Sequence, residues 1–391
     1  MASSLPTLPV EVIEAITDTL NPTDLSCLRL SCKEINQKTL HRFGQACFTT
    51  LRTDLTHDNL QRLQSVSKSE KFRHFVRTLV IKAGDDGLGR GLYWHRLECG
   101  DHSGCVEAWL SSGVQLLQDI LKGMTECNSF HIHSFGGIEE YYGTEYLLPS
   151  DAVGIILFVI AETGLPIKSF FLDFRNRGSG SVDAKRLQMS LCQRPTFRNA
   201  WKPIKELRLE HSLTLETFDW AKDLVLHTTS LKRLSLHFDF DHTTSFIGNL
   251  LAYPHVFQGL QEFKLGCAHV TVNMLSSILI DSHSNLLVLS FWHVYLQEGT
   301  WVAVLEQLPG SLPLLESINV DWPKEYSNEE IVHIQFPALE DNGVVPGSNG
   351  RKFELRYKKW KAQKRIWGAS YRGRLGMDKA LDILAKSAVH T

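Results

Sequence analysis

A six-residue apolar pattern recurs along the chain and limits its fold more than any other feature. Each copy has an apolar residue, two further residues, an apolar residue, one residue and a third apolar residue. First positions lie 51, 40, 37, 27, 29, 26 and 29 residues apart, and the regularity from Ile204 onward argues against chance. The eight copies are Val76-Leu79-Ile81, Cys127-Phe130-Ile132, Ile167-Phe170-Leu172, Ile204-Leu207-Leu209, Leu231-Leu234-Leu236, Leu260-Phe263-Leu265, Leu286-Leu289-Phe291 and Leu315-Ile318-Val320.

Alternation of the second and third apolar positions predicts a short strand with one buried face in each copy. Helix-like stretches lie between the copies, at 150–163, 216–227, 271–281 and 299–308. A strand and a helix every 26 to 29 residues is typical of a leucine-rich-repeat solenoid, in which stacked units complete one another's cores.

A doubly wound α/β domain is the alternative, since it also alternates strands and helices. Two features weigh against it: the strands are short with a fixed leading apolar residue, and no glycine-rich phosphate loop follows any of them. In regular leucine-rich repeats an asparagine or cysteine follows the strand. Most copies here lack that residue, so the repeat is degenerate. Cys267 follows Leu265 by two residues, but the other copies have no matching row of cysteines or asparagines.

The N-terminal stretch from Leu8 to Phe43 predicts three short helices. Pro9 suits a first helical turn, and Asn21-Pro22 ends the first helix and caps the second. Ser31, followed three residues later by Glu34, is a capping-box pattern that predicts the start of the third helix. The apolar residues of the three helices are Val12, Ile13, Ile16 and Leu20, then Leu25, Leu28 and Leu30, then Ile35, Leu40 and Phe43.

A helical module of this size buries too little apolar surface to be stable alone. It therefore needs the rest of the chain or another protein. Two interpretations stay open: an ordinary N-terminal helical cap, or a docking module whose remaining apolar surface is covered by a partner.

The same residues resemble the F-box motif in type and spacing. The matching parts are Leu8-Pro9-x-Glu11-Val12, Asp24-Leu25-x-x-Leu28-Arg29-Leu30 and Ser31-Cys32-Lys33. The tryptophan often found near the end of that motif is absent, and Phe43 and Phe48 are the nearest bulky residues. The resemblance implies docking to a Skp-family adaptor, and through it to a cullin. It gives the adaptor-binding role collectively to Leu8, Pro9, Val12, Ile16, Leu20, Leu25, Leu28 and Leu30.

The degenerate repeats are similar to those of many F-box proteins, especially fungal ones. That resemblance implies a non-catalytic substrate-recognition subunit of an SCF-type ubiquitin ligase, which binds a protein substrate through its strand face or rim loops. An F-box scaffold without a role in degradation is one alternative. A nucleic-acid-associated protein acting through a basic C-terminal segment is the other.

Composition fits a folded protein, with 391 residues, 43% hydrophobic content and a net charge of −2. No apolar run is long enough to span a bilayer, and the longest, 153–161, predicts a buried helix. The first residues lack the pattern of a signal peptide. Eight scattered cysteines form no disulfide framework and fit a reducing compartment, so we expect a location in cytoplasm or nucleus.

No catalytic, cofactor or metal site is predicted. His95, Cys99, His102 and Cys105 have the right chemistry for zinc, but their spacing matches no standard site, so we expect an accidental grouping with zinc as the alternative. The glycines from Gly84 to Gly91 lack the Lys-Ser or Lys-Thr step of a phosphate loop. No nucleophile elbow or protease-type cysteine occurs.

The stretch 351–376 carries ten Lys or Arg residues against one acid, so its charge is +9 while the rest of the chain carries −11. Aromatic residues are interleaved with the cations. We rank docking onto the acidic remainder first, with aromatics buried and cations outside. Nucleic-acid binding and recognition of an acidic or phosphorylated protein motif are the alternatives. Gly350-x-x-Phe353-x-Leu355 weakly resembles a final repeat strand, and 378–390 predicts a capping helix.

These observations predict four segments. They are an F-box module at 1–48, a helical bridge at 49–71, the repeat region at 72–350, and the basic aromatic segment with its capping helix at 351–391. Insertions in the first three repeat intervals are expected to form loops at the strand ends.

Overall fold

The protein is described by a computed structural model over residues 5–84, 87–96, 106–107, 110–133, 146–174, 182–238, 242–327, 330–339, 345–360 and 363–390. It is a mixed α/β protein with a large, mostly parallel sheet. Contacts divide it into two compact units, Met1–Leu165 and Pro166–Thr391.

The N-terminal unit has three described strands, all parallel and ordered as in the sequence: β1 (Thr50–Thr53), β2 (Thr78–Ile81) and β3 (Ser129–His133). Its α-helices are α1 (Val10–Thr17), α2 (Pro22–Arg29), α3 (Lys33–Lys38), α4 (Leu40–Phe48), α5 (His57–Lys68), α6 (Ser112–Gly123) and α7 (Pro149–Thr163).

Strand β1 corrects the expectation of a wholly helical bridge at 49–71, where α5 begins only at His57. Leu51 lies opposite Leu79, and Thr53 lies opposite Ile81. Phe48, Leu51 and Thr53 therefore have the spacing of the apolar pattern, but the third position is a threonine, although it is only 3% exposed. A search for apolar residues misses this strand for that reason.

The C-terminal unit contains two sheets. Its strands are β4 (Ser169–Asp173), β5 (Glu206–Glu210), β6 (Arg233–His237), β7 (Glu262–Gly266), β8 (His269–Thr271), β9 (Val288–Trp292), β10 (Tyr295–Glu298), β11 (Ser317–Asp321), β12 (Lys324–Ser327), β13 (Glu330–Gln335), β14 (Glu354–Trp360), β15 (Gln363–Arg372) and β16 (Val389–His390). Its α-helices are α8 (Pro195–Trp201), α9 (Leu215–Leu226), α10 (Thr243–Leu251), α11 (His255–Gln258), α12 (Val272–Ser282), α13 (Trp301–Glu306) and α14 (Met377–Ser387).

The main sheet of this unit has the strand order β4-β5-β6-β7-β9-β11-β15-β14, and β4 to β11 are parallel. The parallel strands β4 to β11 follow the chain order without the reversal that defines a doubly wound sheet. All eight predicted strands of the chain are present, and each of their pattern positions is at most 5% exposed. In this sheet the middle pattern positions form one buried row: Phe170, Leu207, Leu234, Phe263, Leu289 and Ile318.

The four predicted helices correspond to α7, α9, α12 and α13, with bounds that differ by at most two residues. Helix α7 is buried on nearly all sides, which confirms the buried helix expected at 153–161. Gly164 ends it with a φ of 65°, a left-handed conformation that glycine adopts readily.

A second sheet in this unit, β16-β13-β12-β10-β8, was not predicted. Strands β8, β10 and β12 are parallel, and each follows a strand of the main sheet after two residues. Such strands are only three or four residues long, too short to leave a clear alternating pattern in the sequence.

The basic C-terminal stretch forms an antiparallel hairpin of β14 and β15, and β15 pairs with β11. A strand does occur where a final repeat was expected, but the antiparallel pairing shows that it is not another repeat unit. The terminal helix α14 is confirmed. It buries Leu381, Leu384 and Ala385 and packs against α13.

Candidate protein-interaction surfaces

Capping residues were predicted at the starts of α2 and α3, and the structure confirms the first of them. Asn21 caps α2 as predicted: its Oδ1 accepts from the Asp24 N–H at 2.9 Å, and its Nδ2 donates to Asp24 Oδ2 at 2.7 Å. The predicted capping box is wrong, because the Ser31 hydroxyl donates to the Leu28 carbonyl at 2.6 Å and Cys32 is the N-cap of α3. The chain forms four α-helices here instead of three, since the stretch predicted as the third helix contains both α3, which ends at Lys38, and α4, which begins at Leu40.

The eight predicted adaptor-binding residues differ widely in exposure. Leu25 is fully buried, so it belongs to the interior of the module. Leu30 is 86% exposed, Val12 43% and Ile16 39%. Pro9 is also exposed, and the remaining three are half-buried: Leu8, Leu20 and Leu28.

Val12 and Ile16 lie four residues apart in α1 and so project from one face of the helix. Ile13 and Thr17, one position further on, are buried and form the inner face. Val10 is exposed as well, at 39%. Helix α1 therefore has apolar residues on both its inner and its outer faces, and the outer set (Val12 and Ile16) is called the outer α1 face below.

The inner side of the module packs onto the chain that follows it. Phe48 stacks on Phe72 with ring centroids 4.4 Å apart, and Phe43 contacts both rings edge-on. The Arg29 guanidinium lies 3.6 Å above the centre of the Phe43 ring, and burial lowers its pKa. Phe43 and Phe48, the bulky residues nearest to the position of the F-box tryptophan, therefore pack against other residues of this chain.

The grouping considered for zinc is described only at His95, whose Nδ1 pairs with Glu107 Oε2 at 2.6 Å. Cys99, His102 and Cys105 lie outside the described residues. Within the described ranges, no group of three or more His, Cys, Asp or Glu side chains is placed to hold a metal ion.

The open face of the main sheet carries paired charges near the start of its strands. Glu206 pairs with Arg208 at 2.5 Å and with Arg233 of the neighbouring strand at 2.8 Å. Glu262 and Lys264 form a further ion pair. Because these cations and acids neutralise one another across the ladder, this half of the face has no dominant sign of charge.

The other end of the same strands carries aromatic rings. Trp292 contacts His293 with ring centroids 4.5 Å apart, His293 stacks on Trp322 at 5.1 Å, and Trp322 stacks on Trp367 at 5.2 Å. His237 stacks on Trp292 at 4.7 Å. These five residues are called the aromatic row. Trp292 has the most exposed side chain of the five, at 36%. Exposed tryptophans are enriched among the residues that contribute most to protein interfaces, and Trp292 is the exposed one of this row.

Three residues directly after their strands have left-handed backbones: Cys267 (φ 47°), His293 (φ 52°) and Trp322 (φ 53°). Each N–H donates to a carbonyl of the next strand at 2.8 Å. Non-glycine residues seldom adopt this conformation, and it redirects the chain toward the second sheet. His293 and Trp322 are therefore the equivalents of Cys267 in backbone conformation, although they differ from it in residue type. The three residues lie 26 and 29 residues apart.

The basic hairpin buries part of its aromatic content. Trp367 is 5% exposed and Tyr371 is 1% exposed, while Tyr357 is 43% exposed. Arg356 pairs with the buried Asp321 of β11. These contacts agree with docking of the segment within the chain, which was the first-ranked of the three interpretations.

No protein-family model matches the sequence, and no curated protein matches it. No helix in the described part of the chain is long and apolar enough to cross a bilayer.

Proposed function

We propose that this protein is the substrate-recognition subunit of an SCF-type ubiquitin ligase, docking through its N-terminal module to a Skp-family adaptor. The exposed outer α1 face carries this proposal. Val12 and Ile16 leave apolar surface in water on a helix whose inner face is already packed. Val12 matches the F-box motif, and Ile16 belongs to the set to which the resemblance gives the adaptor-binding role.

Leu30 adds to the argument, because its side chain is 86% exposed at the end of α2 and so buries little apolar surface within the chain. Covering such a side chain with a partner would stabilise a complex by about 2 kcal/mol. Leu25, although it matches the motif equally well, is buried. We assign it to the module's own core.

The C-terminal unit is proposed to hold the protein substrate. Its main sheet offers an open face with paired charges at one end and the aromatic row at the other. On this proposal the chain performs no chemistry. It raises the effective concentration of substrate beside the conjugating machinery of its partners.

The test is co-purification with adaptor and cullin. The double variant Val12→Glu and Ile16→Glu places two charges on the outer α1 face and is expected to reduce adaptor recovery at least tenfold. Ile280→Glu is the matched control, because Ile280 is 69% exposed on α12 of the other unit. Unchanged adaptor recovery by the double variant, with far-ultraviolet circular dichroism as in the wild type, would contradict the proposal.

A scaffold without a degradation role would pass the same binding test. The two are separated by substrate lifetime. Proteins captured by the chain while the ligase is inactive should become longer-lived when the chain is lost. Equal lifetimes in its presence and absence would favour the scaffold.

A further inference from the structure

A groove of about 690 Å³ lies beside β1 in the N-terminal unit. Strand β1 lines it along its whole length, together with α5 and the end of α4. Apolar lining comes from Phe48, Leu51 and Val66, and cations line it at Arg52, Arg62 and Lys82. It is called the edge groove below.

The edge groove follows an open strand edge. Within the described part of the N-terminal unit, β1 pairs only with β2. The Thr49 carbonyl accepts from the Thr78 N–H at 3.0 Å, and the Thr53 carbonyl accepts from the Lys82 N–H at 2.9 Å. Because backbone groups alternate in direction along a strand, the N–H and C=O groups of Thr50 and Arg52 point away from β2, toward the groove. Both residues are exposed.

The electrostatics of the edge groove are positive. Asp54 is its one acidic lining residue. Its Oδ1 already accepts from the Thr56 N–H at 3.0 Å, the Thr56 hydroxyl at 2.6 Å and Asn59 Nδ2 at 2.8 Å. Arg52 and Arg62 therefore face one acid whose Oδ1 is engaged locally, so the groove attracts negative charge.

We propose that the edge groove binds an extended acidic peptide segment, which adds a strand to β1. Main-chain pairing at Thr50 and Arg52 would supply up to four hydrogen bonds, as in other cases of strand addition. Acidic side chains of the segment would meet Arg52 and Arg62, and its alternate apolar side chains would contact Leu51 and Val66. This site uses neither the outer α1 face nor the aromatic row, so its existence does not depend on the proposed ligase function.

The probe is a fluorescein-labelled heptapeptide that alternates glutamate and valine, titrated into the full chain and followed by fluorescence anisotropy. We expect saturable binding of one peptide per chain. The double variant Arg52→Glu and Arg62→Glu should weaken it more than tenfold. Lys68→Glu is the matched control: Lys68 is an exposed cation of α5 that does not line the groove, so this variant should bind like the wild type.

A second probe tests main-chain pairing without changing the protein. The same peptide with N-methyl groups on alternate residues cannot donate along one edge, so its binding should be lost for one of the two methylation registers. Equal binding of both methylated forms would overturn strand addition. Equal binding of a lysine–valine heptapeptide would overturn the acidic preference. If the chain forms a dimer that excludes the peptide, the edge belongs to a second copy and the proposal is wrong.

Discussion

The imidazole of His237 stacks on the indole of Trp292 with ring centroids 4.7 Å apart and planes inclined by 30°. The two residues lie on β6 and β9, and Gly266 of β7 stands between them in register. Strands two apart in a sheet are separated by roughly 9.6 Å. The rings therefore meet only because the intervening position has no side chain, and one glycine positions this end of the aromatic row.

Gly266→Ala is expected to destabilise the C-terminal unit by about 1–3 kcal/mol, as overpacking does elsewhere. A Cβ atom at this position would lie 2.3 Å from His237 Nδ1. The same change in a His237→Ala background should cost much less, because the clashing ring is gone. Urea unfolding followed by tryptophan fluorescence measures all four proteins. Equal costs in the two backgrounds would show that the clash lies elsewhere.

His293 has a φ of 52°, a conformation in which a Cβ atom costs about 1–2 kcal/mol. His293→Gly and His293→Ala both remove the stacking on Trp322, so the difference in stability between the two variants measures the cost of a Cβ atom in this backbone conformation. We expect the glycine variant to be the more stable by about 0.5–1 kcal/mol, after allowing for its greater unfolded-state entropy. Urea midpoints give the comparison.

Ser290, in the middle of β9, provides the control for that pair. There the backbone is extended, so the alanine variant should be the more stable of the two. The same order at both positions would contradict the assignment of strain to His293.

Asn21→Ala removes the side-chain cap of α2 and is expected to cost about 1 kcal/mol. Asn21→Ser should retain most of that stability, because a serine hydroxyl can accept from the same N–H. Amide hydrogen exchange in α2 is the measurement, with α5 as the internal reference. Loss of protection in α5 to the same extent would indicate a global effect instead of a local one.

Cys127 and Cys192 are buried, and burial raises the pKa of both thiols to about 12. Iodoacetamide at pH 8 should therefore label the exposed Cys27 in the folded chain, whereas Cys127 and Cys192 react only after unfolding. Site-resolved mass spectrometry checks this pattern, and early labelling of Cys127 would contradict its burial.

The same shift predicts how stability depends on pH. The folded state favours the neutral thiols, and the ordinary thiol pKa is 9.0. Stability should therefore be fully present below pH 9 and should fall as the pH rises toward 12, because the unfolded chain loses these protons first. Cys192→Ala should reduce the slope in that range.

Local patterns predicted much of the fold because they report local physics. Copies such as Leu234-x-Leu236 and Phe263-x-Leu265 alternate as a strand with one buried face must, and all of them are buried in register. Asn21-Pro22 is a helix boundary for local reasons, because the Asn21 side chain caps α2 and Pro22 suits its first turn. Ser31 and Glu34 show where local patterns fail. The Ser31 hydroxyl, which the pattern assigned to a helix cap, donates to the Leu28 carbonyl instead.

The candidate surfaces depended on tertiary structure. Val12 and Leu25 match the same motif, and only packing decided that one is exposed and the other buried. Strand β1 does not fit the apolar pattern because its third pattern position is the polar Thr53, which is buried in register with Ile81 of β2. The sequence by itself determined the eight pattern strands and the helices α7, α9, α12 and α13, since their apolar spacing depends on neighbours along the chain. Which edges stay open and which rings stack was decided by residues far apart in the sequence, whose contacts exist only once the strands are in register.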